Sequence, residues 1–135
     1  MKRTRLRKQS KDPKAKLRAK ADKLLMDYIR LKHKDELCWV CGNKPISCGH
    51  HFIPKKNSNA LRFYLPNIIP ICRDCHSLVH TQPHLVEPKI CFKLGQEWHE
   101  DLMERKRAGI KYNTEWIQTQ FSILTDFLQE LRGEK

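Results

Sequence analysis

Residues 65–80, "LPNIIPICRDCHSLVH", carry the strongest structural signal in the sequence. This stretch contains a C-x2-C pair, Cys72 and Cys75, and "CWVC" places a second pair at Cys38 and Cys41, with 30 residues between the pairs. A C-x2-C turn aims two thiolates at one ion, so two such turns can complete a tetrahedral four-cysteine site. The sequence therefore predicts a structural Zn²⁺ that fastens a strand end to a helix.

The cysteines admit a second interpretation, because C-x2-C also occurs in redox-active proteins. Neither pair lies in a recognisable βαβ pattern, which weighs against that interpretation. The N-terminus has no apolar run behind its charges, so we expect no secretory signal and reduced thiols in a cytoplasmic protein. Cys48 and Cys91 stand outside both pairs, and we expect ordinary buried thiols there, with Cys48 as a fallback metal ligand.

Positive charge is concentrated in the first quarter of the chain. The formal net charge is +12, and residues 1–34 hold 14 Lys and Arg against three Asp, whereas the remainder is nearly neutral. This distribution is typical of a nucleic-acid binder, although a solvated tail or a membrane-surface segment would also be basic. The arm has no Trp or Phe anchor, and no stretch approaches the roughly 18–20 apolar residues of a membrane span. We expect nucleic-acid contacts from Arg3, Arg5, Arg7, Lys8, Lys14, Lys16, Arg18, Lys55, Lys56 and Arg62.

Hydrophobic periodicity predicts an α+β chain with a small, irregular centre. Apolar spacings of three and four predict a helix of about 18 residues from Ala15 and a second amphipathic helix from Asn113 or Thr114 to near Gly133. A further helix is predicted from Gln96 to Arg107, closed by Gly109.

The cysteine-rich centre predicts short strands and turns. "CGNKPIS" indicates a tight turn between two short strands, "LPNIIPIC" a loop that feeds a strand, and "TQPHLVEPKICF" an irregular segment because of its two prolines. The expected organisation is a basic arm and amphipathic helix at 1–34, a zinc-stabilised core at 35–95 and a helical segment at 96–135. We expect residues 1–13 to be disordered until they meet a polyanion.

Two adjacent histidines lie in "GHHFIP", residues 49–54, and His76 directly follows the last paired cysteine. The run H-x-x-P … N-x4-C-x-x-C-H resembles the HNH endonuclease motif. That resemblance implies a ββα-metal fold, in which two strands and a helix hold one divalent ion, Mg²⁺ or Mn²⁺. It further implies that His51 is the general base, that His50 and His76 are metal ligands, and that Asn67 pins the connecting loop.

The spacing around these histidines adds two expectations. His80 lies four residues after His76, hence on the same helix face, and is a candidate additional ligand. The pair is expected to lie where the strand ends or bends, a bend that Gly49 would permit, so that the paired imidazoles cease to diverge. His33, His84 and His99 show no such spacing, and we expect surface or capping roles for them.

A second similarity covers roughly residues 20–107. "DYIRLKHKDELCWVCG", "GHHFIPKKNSNALRFYLPNIIPICRDC" and "FKLGQEWHEDLMERKR" resemble the NinG/Rap family of phage recombination proteins. The resemblance implies a role in phage recombination in the host cytoplasm, and its Rap members imply cleavage of branched DNA such as Holliday junctions and D-loops. The chain departs from the family pattern in having His76 where members usually have Asn.

Three functions follow from these patterns. The first is a metal-dependent DNA endonuclease that cleaves phosphodiester bonds in branched recombination intermediates. The alternative is a non-catalytic zinc-containing module that binds nucleic acid, and the third is a protein-interaction adaptor built on the terminal helices. The C-terminal amphipathic helix would either pack on the core or pair with a second copy in a homodimer.

Overall fold

A computed structural model describes residues 12–133. This part of the chain contains five α-helices and a two-stranded antiparallel sheet, so the predicted α+β class is confirmed. In chain order the elements are α1 (Pro13–Lys32), β1 (Cys48–His51), a 3₁₀ turn (Leu65–Asn67), β2 (Ile68–Ile71), α2 (Arg73–Thr81), α3 (Pro83–Leu94), α4 (Gln96–Ala108) and α5 (Thr114–Leu131). Within residues 12–133, no helix has the length and apolar content that a bilayer crossing requires.

Helix α1 begins two residues before the predicted start. The Asp12 side chain accepts a hydrogen bond from the backbone N–H of Lys14, and Pro13 occupies the first helical position, where its missing donor costs nothing. The helix ends at Lys32 and is capped by His33, whose backbone N–H donates to the carbonyl of Ile29. The predicted amphipathic helix is therefore confirmed, with a slightly earlier N-terminus.

The largest apolar interface joins the first and last helices. Ala21, Leu25, Tyr28 and Ile29 of α1 form one buried cluster with Phe63, Ile68, Leu124 and Leu128. Helix α5 starts where it was predicted, because the Asn113 side chain accepts from the N–H of Trp116. Core packing therefore uses one side of α5, while Ile123, Phe127 and Leu131 stay exposed and the homodimer stays a prediction.

The two strands pair as a short antiparallel ladder, and a long connection joins them. Cys48 pairs with Ile71 at one end and His51 pairs with Ile68 at the other. Gly49 serves close packing here, because a Cβ at that position would lie 2.5 Å from Cγ2 of Ile68. The bend that Gly49 would permit does not occur, since β1 runs in continuous register through it.

Two further local predictions are wrong. Residues 81–92, expected to be irregular, lie mostly in α3: Pro83 takes the first helical position, and burial of Val86 and Ile90 offsets the hydrogen bond lost at Pro88. The turn in "CGNKPIS" is closed by a single antiparallel bridge between Leu37 and Pro45, where two short strands were expected.

The helix predicted from Gln96 is confirmed and ends at Ala108. Gly109 follows at φ 65°, a left-handed conformation that glycine adopts without steric cost and that stops the helix. The division into segments 1–34, 35–95 and 96–135 stays a prediction.

Candidate metal centres and active site

The structure brings the four paired cysteines together. The Sγ atoms of Cys38, Cys41, Cys72 and Cys75 all lie within 4.8 Å of one another, and the Cys41 and Cys72 sulfurs are 3.8 Å apart. Tetrahedral coordination with Zn–S bonds of about 2.3 Å separates the sulfurs by about 3.8 Å. The cluster could therefore hold a zinc ion, and its donor chemistry fits that ion.

Backbone amides surround the sulfurs as the C-x2-C spacing requires. Hydrogen bonds from the backbone of Asn43 and Lys44 lower the pKa of Cys41 to about 6, against the opposing effect of burial. Burial raises the pKa of Cys72 and Cys75, so those two thiols need a cation to become thiolates. The other two cysteines stand apart from this cluster, and burial raises the pKa of both Cys48 and Cys91.

The same helix that carries two zinc-site cysteines also carries two histidines. Cys72 caps α2 and Cys75 lies in its first turn, and His76 and His80 follow on consecutive turns. His50 projects from β1, so that His50, His76 and His80 each offer a nitrogen and the three nitrogens lie within 4.8 Å of one another. The Nε2 atoms of His76 and His80 are 3.0 Å apart, close to the roughly 3.3 Å that tetrahedral coordination at about 2.0–2.1 Å gives.

Burial favours the neutral form of His50 and of His76. It lowers the pKa of His50 to about 4, with smaller contributions in the same direction from His76 and His80, and it also lowers the pKa of His76. Neutral imidazoles present lone pairs, which are the form that binds metal ions. Imidazole nitrogen suits Zn²⁺, Ni²⁺ or Cu²⁺, whereas Mg²⁺ and Mn²⁺ prefer oxygen ligands, so these three donors alone do not match the predicted Mg²⁺ or Mn²⁺.

His51 lines the same cavity but is not part of the three-histidine cluster, and it has a different partner. Its Nε2 lies 2.8 Å from the backbone carbonyl of Arg62. A carbonyl oxygen only accepts hydrogen bonds, so Nε2 carries the proton and donates it. Burial lowers the pKa of His51, which leaves the imidazole neutral near pH 7 with its lone pair on Nδ1. A nitrogen in this state can take a proton from water.

Asn67 ties together the loop that connects the two strands. Its side chain is fully buried, accepts from the N–H of Ile53 at 2.9 Å, and donates to the carbonyls of Ile53 and Leu61 at 3.1 and 3.2 Å. Three hydrogen bonds from one amide fix both ends of the loop next to the histidine pair. Asn67 therefore shapes the site without touching the cavity.

The histidines line a cavity of about 840 Å³. Helix α1 forms one wall of this cavity, and the exposed loop lysines Lys55 and Lys56 stand at its edge. Three α1 residues that the sequence patterns did not single out also line it: Asp22, Met26 and Arg30. No local sequence pattern indicates that these residues line a cavity, because α1 forms the cavity wall only when it packs against β1.

The predicted nucleic-acid residues fall into three groups. Lys16, Lys55 and Lys56 are exposed and free to meet phosphate. Lys14 lies over the ring of Tyr112 and Arg18 donates to the Tyr112 hydroxyl, so both are engaged within the protein. Arg3, Arg5, Arg7 and Lys8 lie outside the described residues.

Arg62 has an internal partner in place of the expected phosphate contact. Its Nε and one terminal nitrogen donate to the two carboxylate oxygens of Asp22, at 2.9 and 2.5 Å. Both side chains are largely withdrawn from water, with 14% and 25% of their surfaces exposed. This geometry argues against a role for Arg62 in binding DNA.

Comparison with known proteins gives one family. The family model described as the bacteriophage lambda NinG protein matches residues 1–134. No curated protein and no solved structure matches the chain.

Proposed function

The chain belongs to the bacteriophage lambda NinG protein family, and on that premise we propose that it is a metal-dependent DNA endonuclease. Family membership supports a phage recombination-related role. The finer proposal is hydrolysis of phosphodiester bonds in branched recombination intermediates, on an HNH-like ββα-metal core formed by β1, β2 and α2.

The observation that carries the proposal is the arrangement of four histidines around one cavity. His50, His76 and His80 would hold a divalent ion, and His51 lines the same cavity with its Nε2 engaged by a carbonyl, which leaves Nδ1 as the basic nitrogen. Three protein nitrogens leave coordination positions open, which is the arrangement of catalytic rather than structural metal sites. When bound, such an ion stabilises charge on the phosphate and on the departing oxygen.

The protein's own groups supply the remaining chemistry. His51 removes a proton from the attacking water through Nδ1, because its Nε2–H is committed to the carbonyl of Arg62. The resulting imidazolium can return that proton to solvent through the open cavity. Lys55 and Lys56 at the edge place positive charge where the phosphate backbone would enter.

Cleavage of a labelled four-way junction and of its matching linear duplex tests the proposal. The wild type is compared with His51→Ala in Zn²⁺, Ni²⁺, Co²⁺, Mn²⁺ and Mg²⁺, with His84→Ala as the control because that exposed histidine lies outside the cavity. We expect cutting by the wild type and the control, and a loss of roughly 10²-fold or more in the His51 variant.

One outcome would contradict the endonuclease. Tight DNA binding without cleavage by any of these proteins, under every ion, would overturn the endonuclease and favour the zinc-containing binding module. A preference for the junction over the duplex would support branched DNA as the substrate.

A further inference from the structure

The carbonyl of Arg62 decides which nitrogen of His51 holds the proton. It accepts the Nε2–H at 2.8 Å, and a shift of this one oxygen would free the imidazole to change tautomer. The carbonyl belongs to the long connection between the strands, which has no ladder of its own to fix it. Whatever holds this peptide also holds the proposed base.

The neighbours of Arg62 fix the peptide only in part. Leu61 is fully buried and its carbonyl accepts from Asn67, while Phe63 packs into the cluster between α1 and α5. These contacts anchor the chain on either side of Arg62. Two further restraints act on Arg62 itself: its backbone N–H donates to the carbonyl of Asn59 at 3.2 Å, and its side chain has a partner on α1.

The side chain of Arg62 is clamped to α1. Its two nitrogens meet the two oxygens of Asp22, a bidentate geometry that fixes orientation as well as distance. Asp22 lies one helical turn before Met26, and both line the histidine cavity. The contact joins residues 40 positions apart and ties the wall of the cavity to the loop that carries the carbonyl.

We infer that Asp22 and Arg62 form a positioning pair that holds His51 in the tautomer with a bare Nδ1. The inference rests on the proposed function, because it takes His51 as the general base. A phosphate ligand at position 62 would need an exposed guanidinium, whereas this side chain is only 14% exposed and is paired with a carboxylate. The pair acts through the backbone of Arg62.

Kinetic measurements distinguish a positioning role of Asp22 and Arg62 from a purely structural role. We compare Asp22→Asn with the double variant Asp22→Asn/Arg62→Gln, which leaves no unpaired charge in the interface. The control is Asp27→Asn on the same helix, which makes the same change in net charge at an exposed pair with Arg30.

We expect kcat per folded molecule to fall roughly tenfold or more in both test variants, with KM for DNA within about twofold of wild type. The double variant should lose no more than the single one, because the two residues act as a unit. Unchanged kcat in both test variants, or an equal fall in Asp27→Asn, would overturn the pair.

A second readout does not depend on cleavage. Nitrogen NMR of His51 reports directly which ring nitrogen is protonated, in each of these proteins. We expect the Nε2–H form in the wild type and in Asp27→Asn, and a mixture of tautomers in Asp22→Asn. If the wild type cuts no DNA, the proposed function fails while this spectrum still tests the pair, and an unchanged tautomer in Asp22→Asn overturns it.

Discussion

The four-cysteine cluster and the three-histidine cluster share helix α2 but differ in closure. The cysteine cluster is formed by four donors, three of them buried, and packs inside an apolar cluster with Ile69 and Val79. The histidine cluster has three donors, one of them exposed, and opens into the 840 Å³ cavity. Four closed sulfur donors are typical of a site that holds the fold, and three open nitrogen donors are typical of a site that does chemistry.

The shared helix explains how one site can support the other. Cys72 and Cys75 fix the first turn of α2, and the next two turns then present His76 and His80 toward β1. Loss of the first cluster should therefore destroy both, whereas loss of the second should leave the first intact. The predictions below test this asymmetry.

The largest effect is expected from Cys72→Ser. Removing one of four ligands should abolish the zinc site and with it the cooperative unfolding transition, since structural zinc contributes on the order of 10 kcal/mol in small domains. Circular dichroism with zinc analysis measures both. The matched control is Cys91→Ser, which lies outside the cluster and should keep full zinc content.

His76→Ala should separate the two sites. We expect the variant to retain its zinc and its unfolding midpoint within a few degrees, while binding of a second divalent ion and DNA cleavage are lost. Isothermal titration of Co²⁺ into the zinc-loaded protein measures the second site. A His76→Ala protein that unfolds like Cys72→Ser would contradict the proposed division between the clusters.

Asn67→Ala should weaken the loop that holds the histidine pair. The variant leaves the N–H and the carbonyl of Ile53 buried without their side-chain partner, at a cost of roughly 2–4 kcal/mol. Urea unfolding measures this loss in the free energy of unfolding. The control is Asn57→Ala in the same loop, where the exposed side chain should contribute less than about 0.5 kcal/mol.

The smallest effect is expected at the edge of the cavity. Replacing Lys55 and Lys56 by Gln should reduce the slope of log K against log salt for duplex binding by about 1–2, with metal content unchanged. Gln at Lys106 and Lys111 provides the matched control, because both are exposed and make the same change in net charge. Equal effects of the two double variants would show that binding is not directed to the cavity.

The two clusters also differ in how far the sequence predicts them. The C-x2-C turns are local, so their spacing predicts the sulfur cluster before any fold is known. The histidine cluster depends on two features. His76 and His80 lie one turn apart on α2, and β1, which carries His50, packs near α2. The four-residue interval between His76 and His80 is visible in the sequence. The approach of His50 to these two residues was expected only from the resemblance to the HNH motif.

The residues that sequence reasoning missed depend on packing alone. No local pattern indicates that Asp22 pairs with Arg62, because the contact spans 40 positions and forms only when α1 covers the loop. Gly49 was misassigned for a related reason, since its close approach to Ile68 becomes visible only with the strands paired. The two prolines of α3 led to the wrong prediction of an irregular segment. A proline in the first helical turn costs little stability, and the hydrogen bond lost at the second is offset by burial of its neighbours.

Selective removal of the weaker ion tests most directly whether the histidine cluster serves catalysis while the cysteine cluster holds the fold. The zinc-loaded protein is treated with a mild chelator, and cleavage of the four-way junction, bound zinc and the unfolding midpoint are measured on the same sample. We expect cleavage to disappear while one zinc ion and the midpoint remain, and cleavage to return when a divalent ion is restored. Cleavage that survives loss of the second ion, or that is lost only when the protein unfolds, would contradict this expectation.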